Sequence, residues 1–157
     1  MDARILIIFL IAAWVKEGHA CRNGWVANED TCYYFSHGES TWGEASATCL
    51  ALQSHLAMVT SSEEHTFLIN HLKQLNDDHD HTRYWIDGTD LEVENIWRWA
   101  LTGDKLTYIN WADGEPNNAQ SGDCMNLYQD GGFKMADDSC EKHLYYICQE
   151  NAGLVIG

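Results

Sequence analysis

Several features that are common in other protein classes are missing from this chain. Pro116 is the only proline among 157 residues, and no run of apolar residues reaches the roughly 20 that cross a bilayer as a helix. Lysine and arginine total 9 against 24 acidic residues, which gives a formal net charge of −15. Nucleic acid is therefore not an expected partner, because phosphate binding needs basic patches. No Asn-x-Ser/Thr sequence occurs, so N-glycosylation is not expected either.

The N-terminal segment has the pattern of a secretory signal. Arg4 precedes the apolar run Ile5–Val15, and Gly18 and Ala20 follow it like a cleavage site. The run is too short to span a membrane, and a buried N-terminal helix is the weaker alternative. We therefore predict that residues 1–20 are a signal peptide and that the mature protein is secreted, extracellular and not inserted in a membrane.

All six cysteines lie after the predicted cleavage point. An even number of cysteines in an exported chain predicts three disulfides, although six cysteines allow about 15 pairings and their spacing does not choose one. The absence of any Cys-x-x-Cys pair argues against a zinc cluster. The acidic composition suits oxygen-liganded cations such as calcium, but solubility alone also explains it.

The order of local signals predicts an α+β fold with two helices, short antiparallel sheets and a long loop region. Apolar runs on either side of residues 28–30 predict a hairpin. Thr41 with Glu44, and Ser61 with Glu64, are capping boxes that predict two helix starts. Short strands are predicted at 55–60, 124–129, 131–137 and 143–150.

The second predicted helix is amphipathic. Leu68, Leu72 and Leu75 recur at helical spacing and mark one face of it. After residue 83 the chain changes character, with four tryptophans separated by Gly, Asn and Asp, which is typical of long ordered loops.

Eight short motifs resemble, in order and spacing, those of a C-type lectin domain in its long form. They are "GW…CYYF", "TWGEASATC", "LAMVTSSEEHTFL", "YWIDGTD", "WRWALTGDKLTYINW", "GEPNN", "DCMNLY" and "DDSCEKHLYYIC". The resemblance covers residues 21–150 and leaves 151–157 as a short C-terminal tail. It implies the disulfide pairings Cys21–Cys32, Cys49–Cys148 and Cys124–Cys140.

The resemblance also explains the single proline. In this family the proline of the Glu-Pro-Asn motif is cis, and Glu115, Asn117 and Asp137 match residues that bind calcium and sugar. This motif resembles the mannose, glucose and N-acetylglucosamine type. An ionised glutamate accepts hydrogen bonds and an amide also donates them, so the pair can recognise two neighbouring sugar hydroxyls around one Ca²⁺. We expect Trp111 to pack beneath this loop, with sugar stacking as the lesser alternative.

Two positions depart from the family pattern at this site. Gly122-Asp123-Cys124 stands where Glu-Asp-Cys is usual, and Ala136 replaces the amide of Trp-Asn-Asp. We expect Asp123 to help as a ligand, and we expect weaker calcium binding because fewer protein oxygens remain.

A second calcium position is also implied by the resemblance. Its ligands would be Asp90, Glu94, Asn118 and Asp123, and the alternative is that these are solvated acidic residues on a loop. Asp87-Gly88 stands where Gly-Leu is usual. The tract 76–83, "NDDHDHTR", contains two histidines among aspartates, but alternating residues on a loop rarely form a defined metal site.

The sequence therefore predicts a secreted calcium-dependent carbohydrate-binding protein whose partners are glycans or glycoproteins. The alternative is an extracellular matrix protein, similar to perlucin-type shell lectins, that is associated with calcium carbonate and has weak or lost sugar binding. No catalytic motif occurs, so an enzyme is not expected. The sequence does not predict an oligomeric state.

Overall fold

A computed structural model describes residues 19–75, 81–117 and 122–154. Most of the predicted signal segment, the acidic part of the 76–83 tract and Asn118 lie outside these ranges. The helices are α1 (Trp42–Ala51) and α2 (Ser62–Leu75), with a 3₁₀ turn at Gln129–Gly131. The strands in chain order are β1 (His19–Ala20), β2 (Val26–Asn28), β3 (Thr31–Phe35), β4 (His55–Leu56), β5 (Arg83–Thr89), β6 (Arg98–Trp99), β7 (Cys124–Tyr128), β8 (Lys134–Asp138), β9 (Tyr145–Asn151) and β10 (Gly153–Leu154).

Eight strands form one sheet, with the order β2-β3-β9-β5-β7-β8, to which β4 adds against β9 and β6 against β5. Strands β1 and β10 form a separate two-stranded sheet. The prediction of antiparallel sheets holds for the strand pairs described, with one exception: β5 and β9 run parallel, with Tyr84 opposite Tyr145. The α+β class is confirmed, and the sheet is mixed.

The hairpin and the first capping box are present as predicted. Asn28 pairs with Thr31 across the turn, where Glu29 has a positive φ of 52°. The Thr41 hydroxyl accepts a hydrogen bond from the Glu44 N–H, and the Glu44 carboxylate accepts one from the Thr41 N–H. These reciprocal bonds satisfy two of the donors that a helix start leaves free.

The second capping box is only half formed. Ser61 Oγ accepts from the Glu64 N–H, but the Glu64 carboxylate accepts from the Thr60 N–H at 2.8 Å instead of closing on Ser61. It also accepts a hydrogen bond from the Tyr33 hydroxyl on β3. Glu64 thus links the start of α2 to the sheet, a tertiary contact that outweighs the local one.

The structure departs from two local patterns of the sequence. The strand expected at 55–60 ends at Leu56, because Met58 N–H donates to the Gln149 side chain at 2.8 Å and the chain then turns into α2. Leu68 and Leu72 are fully buried, but Leu75, the last residue of α2, is 48% exposed.

The core lies between α2 and the sheet and continues under the long loop. Its largest fully buried side chains include Tyr33, Phe133, Met135 and Ile147. A second apolar cluster, around Trp85 and Cys49, joins α1 to β9. Burying such side chains contributes about 1.5–3 kcal/mol each, and these two clusters support the loops that follow β5.

All three disulfide pairings implied by the resemblance are present: Cys21–Cys32, Cys49–Cys148 and Cys124–Cys140. The second joins α1 to β9, and the third joins β7 to the segment after β8. No helix in the described part of the chain is long and apolar enough to cross a membrane.

Candidate functional site

The segment 111–117 runs alongside β8. Trp111 forms a parallel bridge with Met135 and packs edge-on against Trp97, with ring centroids 5.0 Å apart. The Ala112 N–H donates to the Met135 carbonyl at 2.7 Å. Trp111 is therefore a packing residue that fixes where the following loop begins.

The Glu-Pro-Asn loop brings two of the predicted ligands to a third. The Glu115–Pro116 peptide is cis, as the resemblance implies. The Asn117 N–H donates to Asp137 Oδ1 at 2.7 Å, so the backbone of this loop is held to the side chain of β8. Glu115, Asn117 and Asp137 thus lie together, although 20 residues separate the last two.

The two carboxyl groups of this cluster interact strongly. The pKa of Glu115 is raised to about 7, mainly by burial and also by a side-chain hydrogen bond with Asp137 and the charge of that residue, while Arg83 lowers it. Glu115 Oε2 is buried and has no hydrogen-bond partner among the described residues. A buried carboxylate oxygen without a partner costs free energy, which a cation or a donor would recover.

Gly122 stands where the family usually has an acidic ligand, and the structure leaves no space for a side chain there. A Cβ placed on Gly122 would lie 2.1 Å from Asp137 Oδ2, so the Asp137 carboxylate occupies the space that a side chain at 122 would need. Ala136 is fully buried on β8 and brings no polar atom. The donor set is therefore two carboxylates and one amide residue. It fits a single, weakly held cation with water in its remaining positions, since calcium takes about 6–8 oxygens.

Asp123 lies with the second predicted group. Its backbone carbonyl accepts from the Asp90 N–H at 3.2 Å and from the Thr89 hydroxyl at 2.7 Å. The pKa of Asp90 is raised mainly by burial and also by the charges of Glu94 and Asp123. Asp90 Oδ2 accepts from the Asn95 N–H at 2.8 Å, whereas its Oδ1 is buried without a partner among the described residues. Asp90, Glu94 and Asp123 thus lie near one another, and Asn118 lies outside the described ranges.

These two groups are small. Within residues 19–75, 81–117 and 122–154, no set of three or more His, Cys, Asp or Glu side chains is arranged to hold a metal ion. Of the 76–83 tract, His81 is described, and its Nδ1 lies 2.5 Å from Asp130 Oδ2. Cation binding at either group therefore depends on amide and water oxygens as well as carboxylates.

Sequence reasoning missed three polar residues that hold distant segments of the fold together. Asp87 accepts from the Leu101 N–H at 2.9 Å and so fixes the turn after β6. His65 on α2 is buried, with Nε2 2.8 Å from the Phe133 carbonyl oxygen and Nδ1 3.1 Å from the Tyr108 hydroxyl. The Arg83 guanidinium lies 3.8 Å from the centroid of the Tyr128 ring. Local sequence patterns do not predict these contacts, because the two residues of each contact are at least 14 positions apart in the chain.

Comparison with known proteins agrees with this arrangement. Residues 38–150 match the Lectin C-type domain family. Perlucin from Haliotis laevigata is 32% identical over 132 residues, which cover 83% of each chain.

Two solved structures are also similar. The cow CD23 carbohydrate-recognition domain, crystallised in the presence of a GlcNAc2Man3 oligosaccharide, is 30% identical, with a TM-score of 0.74 over 87% of this chain and 99% of that one. A calcium-independent type II antifreeze protein is 26% identical, also with a TM-score of 0.74, over 88% of this chain and 99% of that one. The chain belongs to the C-type lectin family of carbohydrate-binding proteins, whose members are not enzymes.

Proposed function

We propose that this protein is a secreted, calcium-dependent lectin, without catalytic activity, that binds glycans of the mannose, glucose and N-acetylglucosamine type at Glu115, Asn117 and Asp137. The observation that carries the proposal is Glu115 Oε2, which is buried beside Asp137 and has no hydrogen-bond partner within the part of the chain that the structure describes, while the Asn117 N–H donates to Asp137. Charges of one sign that are held this close favour a cation between them.

The residues of the loop have distinct roles in this proposal. Calcium, when bound, would supply a positive centre shared by the protein oxygens and two neighbouring sugar hydroxyls. The ionised Glu115 carboxylate accepts a hydrogen bond from one hydroxyl, and the Asn117 amide donates one to the other. The likeness to the CD23 domain crystallised with a mannose-containing oligosaccharide supports this type of ligand.

The affinity for calcium should be low. Gly122 brings no ligand, Ala136 is apolar, and Asp137 already accepts a hydrogen bond from Asn117. With this few protein oxygens, we expect a Kd at the weak end for extracellular calcium modules, about 10⁻⁴ to 10⁻³ M. The Asp90, Glu94 and Asp123 group, with Asn118, is proposed as a second position, because Asp90 Oδ1 also lacks a partner among the described residues.

The decisive test exchanges the acid and the amide. The double variant Glu115→Gln with Asn117→Asp should move retention from immobilised mannose to immobilised galactose, and a chelator should elute both proteins. The same two changes at exposed positions, Glu141→Gln with Asn23→Asp, should leave retention unchanged. If the first double variant binds the same sugars as well as the natural protein does, the loop does not read the sugar.

A second function is favoured by the loss of two ligands. Gly122 has no side chain, the Asp137 carboxylate takes the space beside it, and Ala136 is apolar; these features fit a matrix protein that is associated with calcium carbonate and has weak or lost sugar binding. The net charge of −15 and the similarity to perlucin are consistent with it. Retention on calcium carbonate, with none on any immobilised sugar at millimolar calcium, would replace the first proposal with this one.

A further inference from the structure

A small cavity adjoins the proposed sugar site. It has a volume of about 220 Å³ and is lined by residues of the 111–117 loop and of the β7–β8 turn, among them Asp113, Glu115, Tyr128, Asp130 and Lys134. This volume holds several waters and is on the scale of one pyranose ring with its hydroxyls. Glu115 is therefore shared by the proposed sugar site and this cavity.

The wall of the cavity contains a firmly held aromatic ring. The Arg83 guanidinium covers one face of Tyr128 at 3.8 Å from the centroid, and Arg83 itself does not line the cavity. The Tyr128 hydroxyl donates to Asp130 Oδ2 at 2.5 Å, and His81 Nδ1 lies 2.5 Å from the same oxygen. The ring is thus oriented by two contacts before any ligand arrives, which lowers the entropy cost of binding against it.

The back of the cavity is closely packed. A Cβ on Gly131 would lie 2.7 Å from the Ala112 Cβ, so the β7–β8 turn and the loop that carries Glu115 are in direct contact. The cavity therefore keeps a fixed position relative to Glu115.

The polar groups define the chemistry of the ligand. Lys134 offers a donor, with its Nζ 3.9 Å from Asp113 Oδ1, and Asp113 and Asp130 offer acceptors. Three carboxylates against one ammonium group give this cavity a negative balance, which opposes sulfated or sialylated groups. An aromatic ring flanked by hydrogen-bonding groups suits the apolar face and the hydroxyls of a neutral sugar.

We propose that this cavity is a subsite for a second, uncharged pyranose residue of a glycan whose first residue is held at Glu115 and Asn117. The subsite rests on the proposed lectin function. With this subsite the protein recognises a disaccharide unit. The second ring lies on Tyr128, and Lys134 donates to its hydroxyls.

Calorimetry with methyl α-mannopyranoside and with α-linked mannobiose, in calcium-saturated buffer, tests the subsite. The natural protein should bind the disaccharide about fivefold more tightly than the monosaccharide, since an aromatic contact contributes about 1 kcal/mol. Tyr128→Ala and Tyr128→Leu should bring the ratio of the two Kd values close to one, while Tyr128→Phe keeps most of it because the ring remains.

Lysine variants give an independent reading if the tyrosine variants fail to fold. Lys134→Ala should lower the ratio, and Lys105→Ala, at an exposed lysine on the long loop, should not. A natural protein that binds both saccharides equally, or a ratio that Tyr128→Leu and Lys134→Ala leave unchanged, overturns the subsite alone. A natural protein that binds neither saccharide overturns the proposed function and the subsite together.

Discussion

Asp87 offers a prediction whose size can be worked from its surroundings. The residue is only 2% exposed, and burial raises its pKa from the ordinary 3.8 to about 6. Hydrogen bonds from the Leu101 and Ala100 N–H groups favour the charged form and offset part of this rise. Asp87 is therefore a buried carboxylate that folding makes harder to ionise.

The consequence for stability has a definite sign. Between about pH 4 and pH 6 the folded state binds more protons at Asp87 than the unfolded state does, so stability falls as the pH rises through this window. A pKa difference of about two units corresponds to about 3 kcal/mol. This contribution is fully present below the unfolded pKa and is lost above pH 6.

Asp87→Asn should remove this pH dependence. At pH 4 the variant and the natural protein both carry a neutral side chain here, and their free energies of unfolding should agree within about 1 kcal/mol, the scale of one hydrogen bond. At pH 7 the variant should be more stable by about 2–3 kcal/mol, because the asparagine has no charge to bury.

Urea unfolding followed by tryptophan fluorescence from pH 4 to pH 8, with the disulfides intact, measures the difference. Asp104→Asn, a matched change at an exposed aspartate, should show no such trend. A difference between Asp87→Asn and the natural protein that stays within about 0.5 kcal/mol across this range would refute the assignment of Asp87 as a buried acid with a raised pKa.

Two further predictions concern the contacts around Asp137. Gly122→Ala should weaken retention on immobilised mannose about tenfold in affinity chromatography, because the new Cβ would displace the Asp137 carboxylate. The control Gly38→Ala, where a Cβ meets nothing within 4 Å, should leave retention unchanged. Equal effects of the two variants would contradict this role of Asp137. Replacing Cys124 and Cys140 by alanine should lower the free energy of unfolding in urea by about 3 kcal/mol and also weaken sugar retention, because Cys124 pairs with Asp138 next to the site. The matched pair Cys21→Ala with Cys32→Ala should cost similar stability while leaving retention unchanged, and a loss of retention in both pairs would contradict this link.

Local sequence signals predicted those features of the fold that depend on contacts between residues close together in the chain. The hairpin at Asn28–Thr31 and the start of α1 at Thr41 need only contacts within a few residues, and both are present. The end of the strand at Leu56 and the exposure of Leu75 depend on where the chain meets the rest of the fold. The periodicity of a helix shows which face is apolar but not which of its turns the rest of the fold covers.

β5 pairs with β9 in parallel, with Tyr84 opposite Tyr145, and the local sequence of neither strand predicts this pairing. The disulfide pairings and the Glu115–Asp137 contact were predicted through the family resemblance, since about 15 pairings remain open without it. The Arg83–Tyr128–Asp130 contacts were not predicted by either route. The motifs that carry the resemblance do not include Tyr128 together with Arg83 and Asp130, so they gave no reason to expect these contacts.

The buried acids on and after β5 show why burial alone does not identify a ligand. Asp87 and Asp90 are each 2% exposed, and the pKa of each is raised mainly by burial. Asp87 accepts hydrogen bonds from two backbone N–H groups of one turn, so its carboxylate serves the fold. Asp90 gives one oxygen to Asn95 and keeps Oδ1 buried without a partner among the described residues, as Glu115 does with Oε2.

An oxygen of this kind costs free energy in the folded protein unless a ligand satisfies it, whereas a fully bonded carboxylate gains little from a cation. This difference separates Asp90 and Glu115 from Asp87 as candidates for cation binding. It follows that Asp90→Asn and Glu115→Gln should each weaken calcium binding in a calorimetric titration, while Asp87→Asn should change stability and leave the calcium titration as it is. If Asp87→Asn is fully folded but no longer binds calcium, then a buried oxygen without a hydrogen-bond partner does not identify the calcium ligands.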